Sequence, residues 1–375
     1  MSALTEAYKP LQAWLFDHAL PLWAERGVDR QAGGFFEKIA LDGRATNDPR
    51  RTRLVARQVF SFAAAGEMGW GGPHADLVAH GLDFLTGKCL GESGLAYSVV
   101  APDGSLIRAD FDTYDHAFAL FALATAAEGG HRTEACSAVA STMLAAMRAG
   151  FANPVAGFYE AVPPTPFMLA NPHMHLFEAA LAWLEVRPED PEWNGLADEI
   201  GRLALSHLVD RQSGAIRETW DLEWMPSPDP ERGHVVEPGH QFEWAWLLLR
   251  WARLRDDSIA KAAGHRLIEI GEKHGIDTEG LCLNALDPSF AVTDPNRRLW
   301  PQTERIKANL SLGEEARAAE ALRGLARYFE TPVEGLWFET LLPDGSAVPE
   351  AARGSSLYHI ICALREVHRY LDKTR

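Results

Sequence analysis

The sequence predicts an all-α protein built as a closed ring of six helical hairpins, an (α/α)6 barrel with short β-hairpins or loops at one mouth. Two observations lead to this prediction. A short glycine-led segment recurs six times along the 375 residues, and segments of helical periodicity fill the intervals between the copies. A single repeat of this kind cannot bury its apolar face, whereas six repeats stacked in a ring can. An open helical solenoid, which would lack one central cavity, is the structural alternative.

The repeated segment is a glycine followed by alternating aromatic, apolar and polar residues, and several copies contain an Asp-Gly step that favours a hairpin turn. In the interval HQFEWAWLLLRWARLRDD, Phe242, Trp246 and Leu249 follow the i, i+4, i+7 spacing of a helix face. No Pro/Ser-rich linker or charge run divides the chain, so we expect one domain over residues 1–375. The copies begin at Gly33, Gly94, Gly157, Gly214, Gly280 and Gly335.

Composition argues against several classes of partner. The net charge of −16 disfavours nucleic acid, because binding to its phosphate backbone requires a basic face. We expect a cytoplasmic protein without membrane association, since the sequence shows neither a signal peptide nor an apolar run of about 18 residues. Four cysteines without metal-ligand spacing are typical of reduced thiols in the cytosol; they are Cys89, Cys136, Cys282 and Cys362.

Ionisable and polar side chains near the starts of apolar helices are the main functional signal, because burying such groups costs free energy unless they are paired. Each repeat carries one such cluster, at a similar point of the unit. In a ring these points converge on one mouth, as a concave polar active site requires. The clusters contain Arg57 and Gln58, then Tyr114 and His116, then Asn171, His175 and Glu178, then His240 and Glu243, then Trp300, Gln302 and Glu304, and finally Tyr358 and His359.

Several of these residues also have local structural interpretations. Asp112 or Asp115 is expected to cap the helix that follows it. Asn171 is expected to cap the next helix, with Pro172 at its first position. Arg57 either holds substrate oxygens or forms a structural salt bridge.

The histidine clusters leave comparable alternatives. Glu243 lies three residues after His240 and is expected to accept a hydrogen bond from it, orienting the imidazole as an acid or base. Trp300 either stacks on a sugar ring or packs in the core. Glu304 is favoured by the helix dipole if it lies in a first turn. His359 taken alone is typical of a core histidine with satisfied hydrogen bonds.

Two imidazoles and several carboxylates around one cavity suit proton transfer near neutral pH. Isomerisation of an aldose to a ketose, or epimerisation at C2, needs two acid/base groups and donors for an enediolate oxygen. His240 and His359 are the candidate pair, and Arg57 is the candidate oxyanion partner.

Three other functions are alternatives to sugar isomerisation or epimerisation. A divalent metal could be bound by histidines and carboxylates, namely His173, His175, Glu178, His240 and His359. Glycoside hydrolysis would need two carboxylates about 5–10 Å apart, such as Glu243 with Glu304 or Asp115. A helical-ring scaffold without catalysis would not depend on His240 or His359.

The order and spacing of six motifs resemble the N-acylglucosamine 2-epimerase superfamily, which includes mannose isomerases, sulfoquinovose isomerases and cellobiose 2-epimerases. The resemblance covers nearly the whole chain. The motifs are ARQVF (56–60), TYDHAF (113–118), NPHMHLFEA (171–179), EPGHQFEWAWLL (237–248), RLWPQTE (298–304) and SSLYHI (355–360).

The resemblance implies an (α/α)6 barrel that needs no metal or other cofactor for catalysis and that is plausible as a homodimer. It implies that His240 and His359 form the catalytic acid/base pair, that Arg57 holds sugar oxygens near the reacting carbons, and that Glu243 orients the catalytic groups. The implied substrate-binding positions are Tyr114, Asn171, His175, Glu178, Trp300 and Gln302.

Within this family the compact length and the motif EPGHQFEWAWLL favour a free monosaccharide substrate and an isomerase of the mannose–fructose type. The expected reaction is deprotonation at C2 by His359 through a cis-enediol, with His240 assisting ring opening and proton delivery; the two histidines could exchange these roles. A 2-epimerase is the alternative. A phosphate or sulfonate substrate would need a further cation, for which Arg232 is a candidate.

Overall fold

The computed structural model describes residues 2–229 and 231–373, and its helices form two concentric rings. Every second helix along the chain belongs to the inner ring. The inner helices are α3 (Thr52–Glu67), α5 (Thr113–Glu128), α7 (Ala170–Val186), α9 (Pro238–Arg255), α11 (Leu299–Ser311) and α13 (Gly354–Lys373).

The outer helices are shorter or irregular. The first, α1 (Ala3–Trp14), continues through a π-helical turn (Leu15–Ala19) into α2 (Leu20–Arg26). The next are α4 (His74–Lys88), α6 (Thr133–Phe151) and α8 (Pro191–Leu203), which ends in a π-helical turn (Ala204–Leu208). The last are α10 (Ser258–His274) and α12 (Glu315–Ala326), which ends in a 3-10 turn (Arg327–Phe329).

The inner ring closes on itself. Each inner helix packs against the next, and α13 packs against α3, while α1 packs against both α12 and α13. This closure confirms the predicted (α/α)6 barrel and rules out an open solenoid. Inner helices such as α5 and α7 are apolar on nearly every face and are buried on nearly every face, as expected for helices enclosed by others.

Short antiparallel strand pairs lie at the mouth where the inner helices begin. The pairs are β1 (Lys38–Ile39) with β11 (Ala352–Arg353), β2 (Arg50–Arg51) with β3 (Val99–Val100), β3 with β4 (Leu106–Arg108), β5 (Met168–Leu169) with β6 (Thr219–Trp220), β7 (Ala285–Leu286) with β8 (Val292–Asp294), and β9 (Arg297–Arg298) with β10 (Thr340–Leu341). The pair β1–β11 joins the first repeat to the last, with Lys38 opposite Arg353.

The glycine that begins each repeated segment marks the turn between an outer helix and these strands. All six adopt a positive φ, between +71° and +100°, a conformation that disfavours side chains with a Cβ. The predicted hairpins are present as β3–β4 and β7–β8. The glycine-led segment that recurs in the sequence therefore corresponds to a turn that recurs in the structure.

In four inner helices the side chain of the fourth residue is hydrogen-bonded to the glycine turn of the same repeat unit and so fastens that turn. In each case a side-chain nitrogen or oxygen accepts a hydrogen bond from a buried backbone N–H two residues or one residue after the glycine. The pairs are His116 with Ala96 (2.9 Å), His173 with Phe158 (3.1 Å), Gln241 with Ile216 (2.8 Å) and Gln302 with Cys282 (3.0 Å).

The seam between the first and last inner helices has its own hydrogen bond. Gln58 on α3 donates from Nε2 to the carbonyl of Gly354, the first residue of α13, at 2.7 Å in a buried position. The four cysteines are buried free thiols. No helix in the two described ranges has both the length and the apolar character needed to span a bilayer.

Candidate active site

A cavity of about 150 Å³ lies at the mouth where the inner helices begin. Eight of the ten residues predicted from the sequence line it, and they come from all six inner helices. These eight are Arg57, Tyr114, Asn171, His175, His240, Glu243, Trp300 and His359. The predicted convergence of the polar clusters on one mouth is therefore present in the structure.

The sixth residue of each inner helix belongs to a layer of side chains around the barrel axis. The Arg57 guanidinium lies 3.9 Å from the ring centre of Phe118, whose centroid lies 4.4 Å from that of His175. His175 Nδ1 is 3.8 Å from a Glu243 oxygen. The layer consists of Arg57, Phe118, His175, Glu243, Glu304 and His359.

His240 is held by carboxylates from the loops at the mouth. Its Nδ1 donates to Glu218 Oε2 at 2.7 Å and lies 3.6 Å from Glu237 Oε2. Burial lowers the pKa of His240, but the charges of Glu218 and Glu237 outweigh burial and raise it to about 10. At neutral pH this imidazole is a cation and can donate a proton.

The prediction that Glu243 accepts a hydrogen bond from His240 is wrong. His240 is the third residue of α9 and its Nδ1 faces the loop carboxylates, whereas Glu243 belongs to the layer around the axis. Neither Glu243 oxygen has a hydrogen-bond partner among the described residues. Burial and then the negative charge of Glu304 raise the pKa of Glu243 well above its usual range, so a neutral carboxylic acid faces the cavity.

His359 is in the opposite charge state. Its Nδ1 donates to Glu304 Oε1 at 3.0 Å, which leaves Nε2 to accept a proton. Glu304 also pairs with the buried Lys307, Oε2 to Nζ, at 2.5 Å. Burial, and then the positive charges of Arg57 and Lys307, hold the pKa of His359 well below its usual range. At neutral pH this imidazole is uncharged and can act as a base.

Arg57 has no carboxylate partner in the described part of the chain, so a structural salt bridge does not account for its burial. Its guanidinium donates to the Tyr114 hydroxyl at 2.7 Å and lies over the Phe118 ring. Arg57 lines the cavity, where a substrate oxygen would find a cation.

Trp300 lies beside both histidines. Its ring centre is 4.8 Å from that of His240 and 5.8 Å from that of His359. A sugar placed against Trp300 would therefore have both imidazoles within its reach.

Two predicted substrate-binding residues do not line the cavity. Gln302 is fully buried, and its amide bonds both the N–H and the carbonyl of Cys282. Glu178 is also fully buried, and it accepts from Tyr358 at 2.6 Å and from His175 at 3.1 Å. Both residues support the site from behind, so the prediction that they contact substrate is corrected.

One of the two predictions of helix caps is confirmed and the other is wrong. Asp112, one of the two residues predicted to cap α5, does so by accepting from the Tyr114 N–H at 2.8 Å, whereas Asp115 is buried in an ion pair with Arg53 at 3.0 Å. Helix α7 begins at Ala170, so Asn171 lies within its first turn and lines the cavity instead of capping.

Two further expectations about polar side chains are settled by geometry. His116 does not point into the cavity, because both of its nitrogens bond to backbone groups of Ala96 and Asp112. Arg232, the candidate anion contact, lies over the Phe167 ring at 4.9 Å and is not part of the cavity lining.

Two groups of side chains have the ligand types that a divalent cation prefers, with ligand atoms within 4.8 Å of one another. They are His175, Glu178 and Glu243, and Glu218, Glu237 and His240. In each group the histidine Nδ1 already donates to a carboxylate, so that nitrogen could bind a metal only by losing this hydrogen bond.

The sequence-based site prediction missed six residues that line the cavity: Glu237, Arg298, Glu339, Arg353, Ser355 and Ser356. One signal would have found Glu339 and also Glu218, the partner of His240. Every glycine-led segment has a polar residue three or four positions after its glycine. Glu218 is the copy that binds His240, and Glu339 is the copy that accepts from the Ser356 hydroxyl at 2.7 Å. The full set is Glu37, Ser98, Glu160, Glu218, Asn284 and Glu339.

Comparison with known proteins shows which family the chain belongs to. Residues 34–363 match the model of a single family, described as N-acylglucosamine 2-epimerase. The chain belongs to the N-acylglucosamine 2-epimerase family. This membership makes it an enzyme, a sugar isomerase or epimerase, as the sequence motifs predicted.

Family relatives differ in the sugar that their names specify. A protein of Rhizobium meliloti named mannose-6-phosphate isomerase is 44% identical over 97% of both chains. A D-mannose isomerase of Marinomonas mediterranea is 24% identical over 74% of this chain and 73% of its own. The solved structure of a cellobiose 2-epimerase from Bacillus thermoamylovorans superposes with a TM-score of 0.87 at 19% identity, covering 97% of this chain and 99% of the other.

Proposed function

We propose that this family member interconverts a mannose-type aldose and its ketose by moving a proton from C2 to C1 through a cis-enediol. One observation carries the proposal. Two imidazoles flank the same tryptophan, and their surroundings leave His359 neutral and His240 cationic at neutral pH. A reaction that needs a base and an acid together is the chemistry that this pair supports.

The reaction begins with the closed sugar ring. The C1–O5 bond breaks as His240 donates its proton to the ring oxygen. The proton of the anomeric O1 hydroxyl passes back to His240, which releases the open-chain aldehyde and leaves His240 protonated again. His359 Nε2 then removes the proton from C2, and the electron pair moves into the C1–C2 bond while charge develops on O1. Arg57 and the protonated Glu243 provide donors at the cavity wall for this oxygen.

To complete the reaction, the proton that was removed from C2 must be delivered to C1. In a cis-enediol O1 and O2 lie on the same side, so one acid/base group can donate to O1 and accept from O2. We assign this exchange to His240. His359 then returns its proton to the neighbouring C1 from the face on which it removed it, which gives the ketose. Delivery to C2 from the other face would give the 2-epimer instead.

The cavity size supports a monosaccharide. Its volume of about 150 Å³ is below the range of about 300–1,000 Å³ that holds drug-sized ligands. A second candidate substrate is the 6-phosphate of the same sugar, which the name of the 44% identical relative suggests. Arg298 lines the cavity and its guanidinium has no hydrogen-bond partner among the described residues, so it is available to an anionic group.

Incubation with mannose, mannose 6-phosphate, N-acetylmannosamine and cellobiose in heavy water, followed by NMR, tests the proposal. We expect ketose carrying deuterium at C1 from mannose or its phosphate. His359→Gln should lower this rate about 100- to 10,000-fold, because the base that removes the C2 proton is lost.

His265→Gln, an exposed change on the outer helix α10, is the control and should retain the wild-type rate. A deuterated C2 epimer without ketose would replace the isomerase by an epimerase. The absence of exchange with every sugar would overturn the proton-transfer mechanism.

A further inference from the structure

A second and larger cavity, of about 580 Å³, opens at the opposite mouth of the barrel. It lies among the last turns of α7, α9, α11 and α13, whereas the sugar cavity lies among their first turns. Along α11, Trp300 lines the sugar cavity and Leu310 lines the second one. Ten residues of helix separate these positions, which corresponds to about 15 Å.

The lining of this cavity is basic in a protein whose net charge is −16. Five cations and two carboxylates line it: Arg250, Arg253, Lys307, Arg369 and Lys373, with Glu185 and Glu366. Two of the cations have partners outside the lining, since Lys307 is paired with Glu304, and Arg369 with Glu67 and Glu128. In the described ranges neither Arg253 nor Lys373 has an ion pair within 4 Å, and Arg250 has only a 3.5 Å contact with the half-exposed Glu185. Burial raises the pKa of Glu366, but the surrounding arginines and Lys307 outweigh it and lower that pKa, in keeping with a positive potential.

Stabilisation by the negative ends of the helix dipoles explains the positions of only some of these cations. Cations in the last turn of a helix are stabilised by the dipole, and Arg253 on α9 and Lys373 on α13 are such residues. Arg250 and Lys307 lie further from the helix ends and still face the cavity. Arg250 therefore places positive charge away from the helix end, as an anion-binding site requires, and the charge of Lys307 is shared with Glu304.

One side chain connects the two cavities. Lys307 contributes to the floor of the basic cavity, and its Nζ is paired with Glu304, whose other oxygen orients His359 in the sugar cavity. A charge that enters the basic cavity would therefore act on the base of the reaction through one lysine and one glutamate.

We propose that this basic cavity binds a small anion carrying two or more phosphate charges, and that its occupation changes the activity of the sugar site through Lys307. Guanidinium groups match phosphate oxygens with paired donors, and Arg250 and Arg253 supply two such groups on one face of α9. The coupling to activity rests on the proposed role of His359; the binding does not.

Calorimetric titration of the full-length protein with inorganic pyrophosphate tests the binding. We expect a saturable 1:1 isotherm, weakened about tenfold or more by Arg253→Gln, because that change removes a charge-assisted contact. Arg253 is exposed to the cavity, so the variant should fold, which its circular dichroism would verify.

Two variants distinguish binding in the basic cavity from binding elsewhere on the protein. Arg211→Gln removes one exposed positive charge outside the cavity, and Arg298→Gln removes a cation from the sugar site. Both should leave the isotherm unchanged. Loss of binding in Arg298→Gln alone, an equal loss in Arg211→Gln, or no binding by the wild type would each overturn the proposed site.

The pH dependence of kcat/KM tests the coupling. Charged and titratable groups face His359 from three helices: Arg57 on α3, His175 and Glu178 on α7, and Glu304 and Lys307 on α11. An anion near Lys307 offsets its positive charge, so His359 should be protonated more easily. We expect saturating pyrophosphate to move the acidic limb of the profile to higher pH in the wild type and not in Arg253→Gln. An unmoved limb with pyrophosphate bound would overturn the coupling.

Discussion

His240 and His359 line the same cavity, but the carboxylates beside them differ in what else they bind. Glu218 and Glu237 place two negative charges near His240. Glu304 is hydrogen-bonded to His359 and ion-paired with Lys307. Lys307 and Arg57 add positive charge near the His359 imidazole. The identity of the residue as histidine therefore does not determine whether it is an acid or a base here; its neighbours do.

Glu218→Gln tests the origin of the positive charge on His240. His240 must be protonated to act as the acid, so kcat/KM should fall as pH rises through its pKa of about 10. The substitution removes the hydrogen-bonded carboxylate and lowers that pKa. We expect the alkaline limb to move down by about 1–2 pH units, since a hydrogen bond to a charged group contributes about 1.5–3 kcal/mol.

Glu223→Gln provides a matched control, because it removes an exposed carboxylate five residues further along the same loop. Its alkaline limb should coincide with that of the wild type. A Glu218→Gln profile that also coincides would show that Glu218 does not set the charge of His240.

Residue types and spacing predicted eight of the cavity-lining side chains, but not their pairing. Glu243 follows His240 by three residues, which predicts a contact on one helix face. The actual partner, Glu218, lies 22 residues earlier on a loop, and only the closed ring brings it to the first turn of α9. Contacts between a loop and a helix start depend on tertiary structure, and helical spacing within one segment does not contain them.

At the scale of the element, two positions of the inner helices have different tasks. The fourth residue fastens the glycine turn in four of the six helices, and the sixth residue joins the layer around the axis. In α11 these are Gln302 and Glu304. Because two residues along a helix differ by about 200°, the first side chain faces outward to the turn and the second faces inward.

Gln302→Leu should separate the fastening role from sugar binding. Leucine leaves the buried N–H and carbonyl of Cys282 without a partner, which should lower the free energy of unfolding by about 1–3 kcal/mol. The KM for the sugar should not change, because Gln302 does not line the cavity. Urea unfolding and steady-state kinetics measure the two quantities.

Trp300→Ala on the same helix provides the comparison. Trp300 lines the cavity, so its truncation should raise the KM for the sugar. If Gln302→Leu raised the KM as much as Trp300→Ala does, Gln302 would be a substrate-binding residue after all.

The repeat of glycine turns and apolar helices was sufficient to predict the elements and their order. The exact helix starts were less accessible. Asn171-Pro172 has the composition of a cap followed by a first turn, but α7 begins one residue before Asn171 because the Ala170 N–H is bonded to the Glu218 carbonyl across the mouth. A partner distant in sequence thus sets where the helix begins.

At the scale of the whole molecule, the ring closes where α13 meets α3. These two helices carry His359 and Arg57, so the seam of the barrel runs beside the reacting groups. The buried hydrogen bond from Gln58 to the Gly354 carbonyl crosses this seam. The first and last repeats therefore contribute jointly to one half of the proposed site.

Gln58→Leu should weaken the seam. It leaves the Gly354 carbonyl unpaired in a buried position, and we expect a loss of about 1–3 kcal/mol in the free energy of unfolding, measured with urea. The kcat should fall as well, because His359 and Arg57 are no longer held in register. Gln31→Ala, an exposed change in a loop, should alter neither quantity; equal stability of Gln58→Leu and the wild type would contradict the role of the seam.

The layer of sixth residues has a consequence for how such a protein can change over time or in the laboratory. Six codons, spaced one per repeat, specify an arginine, a phenylalanine, two histidines and two glutamates that surround a common axis. The residues that keep the barrel closed occupy other codons. New chemistry could therefore be selected from libraries restricted to those six codons, while the rest of the gene stays constant.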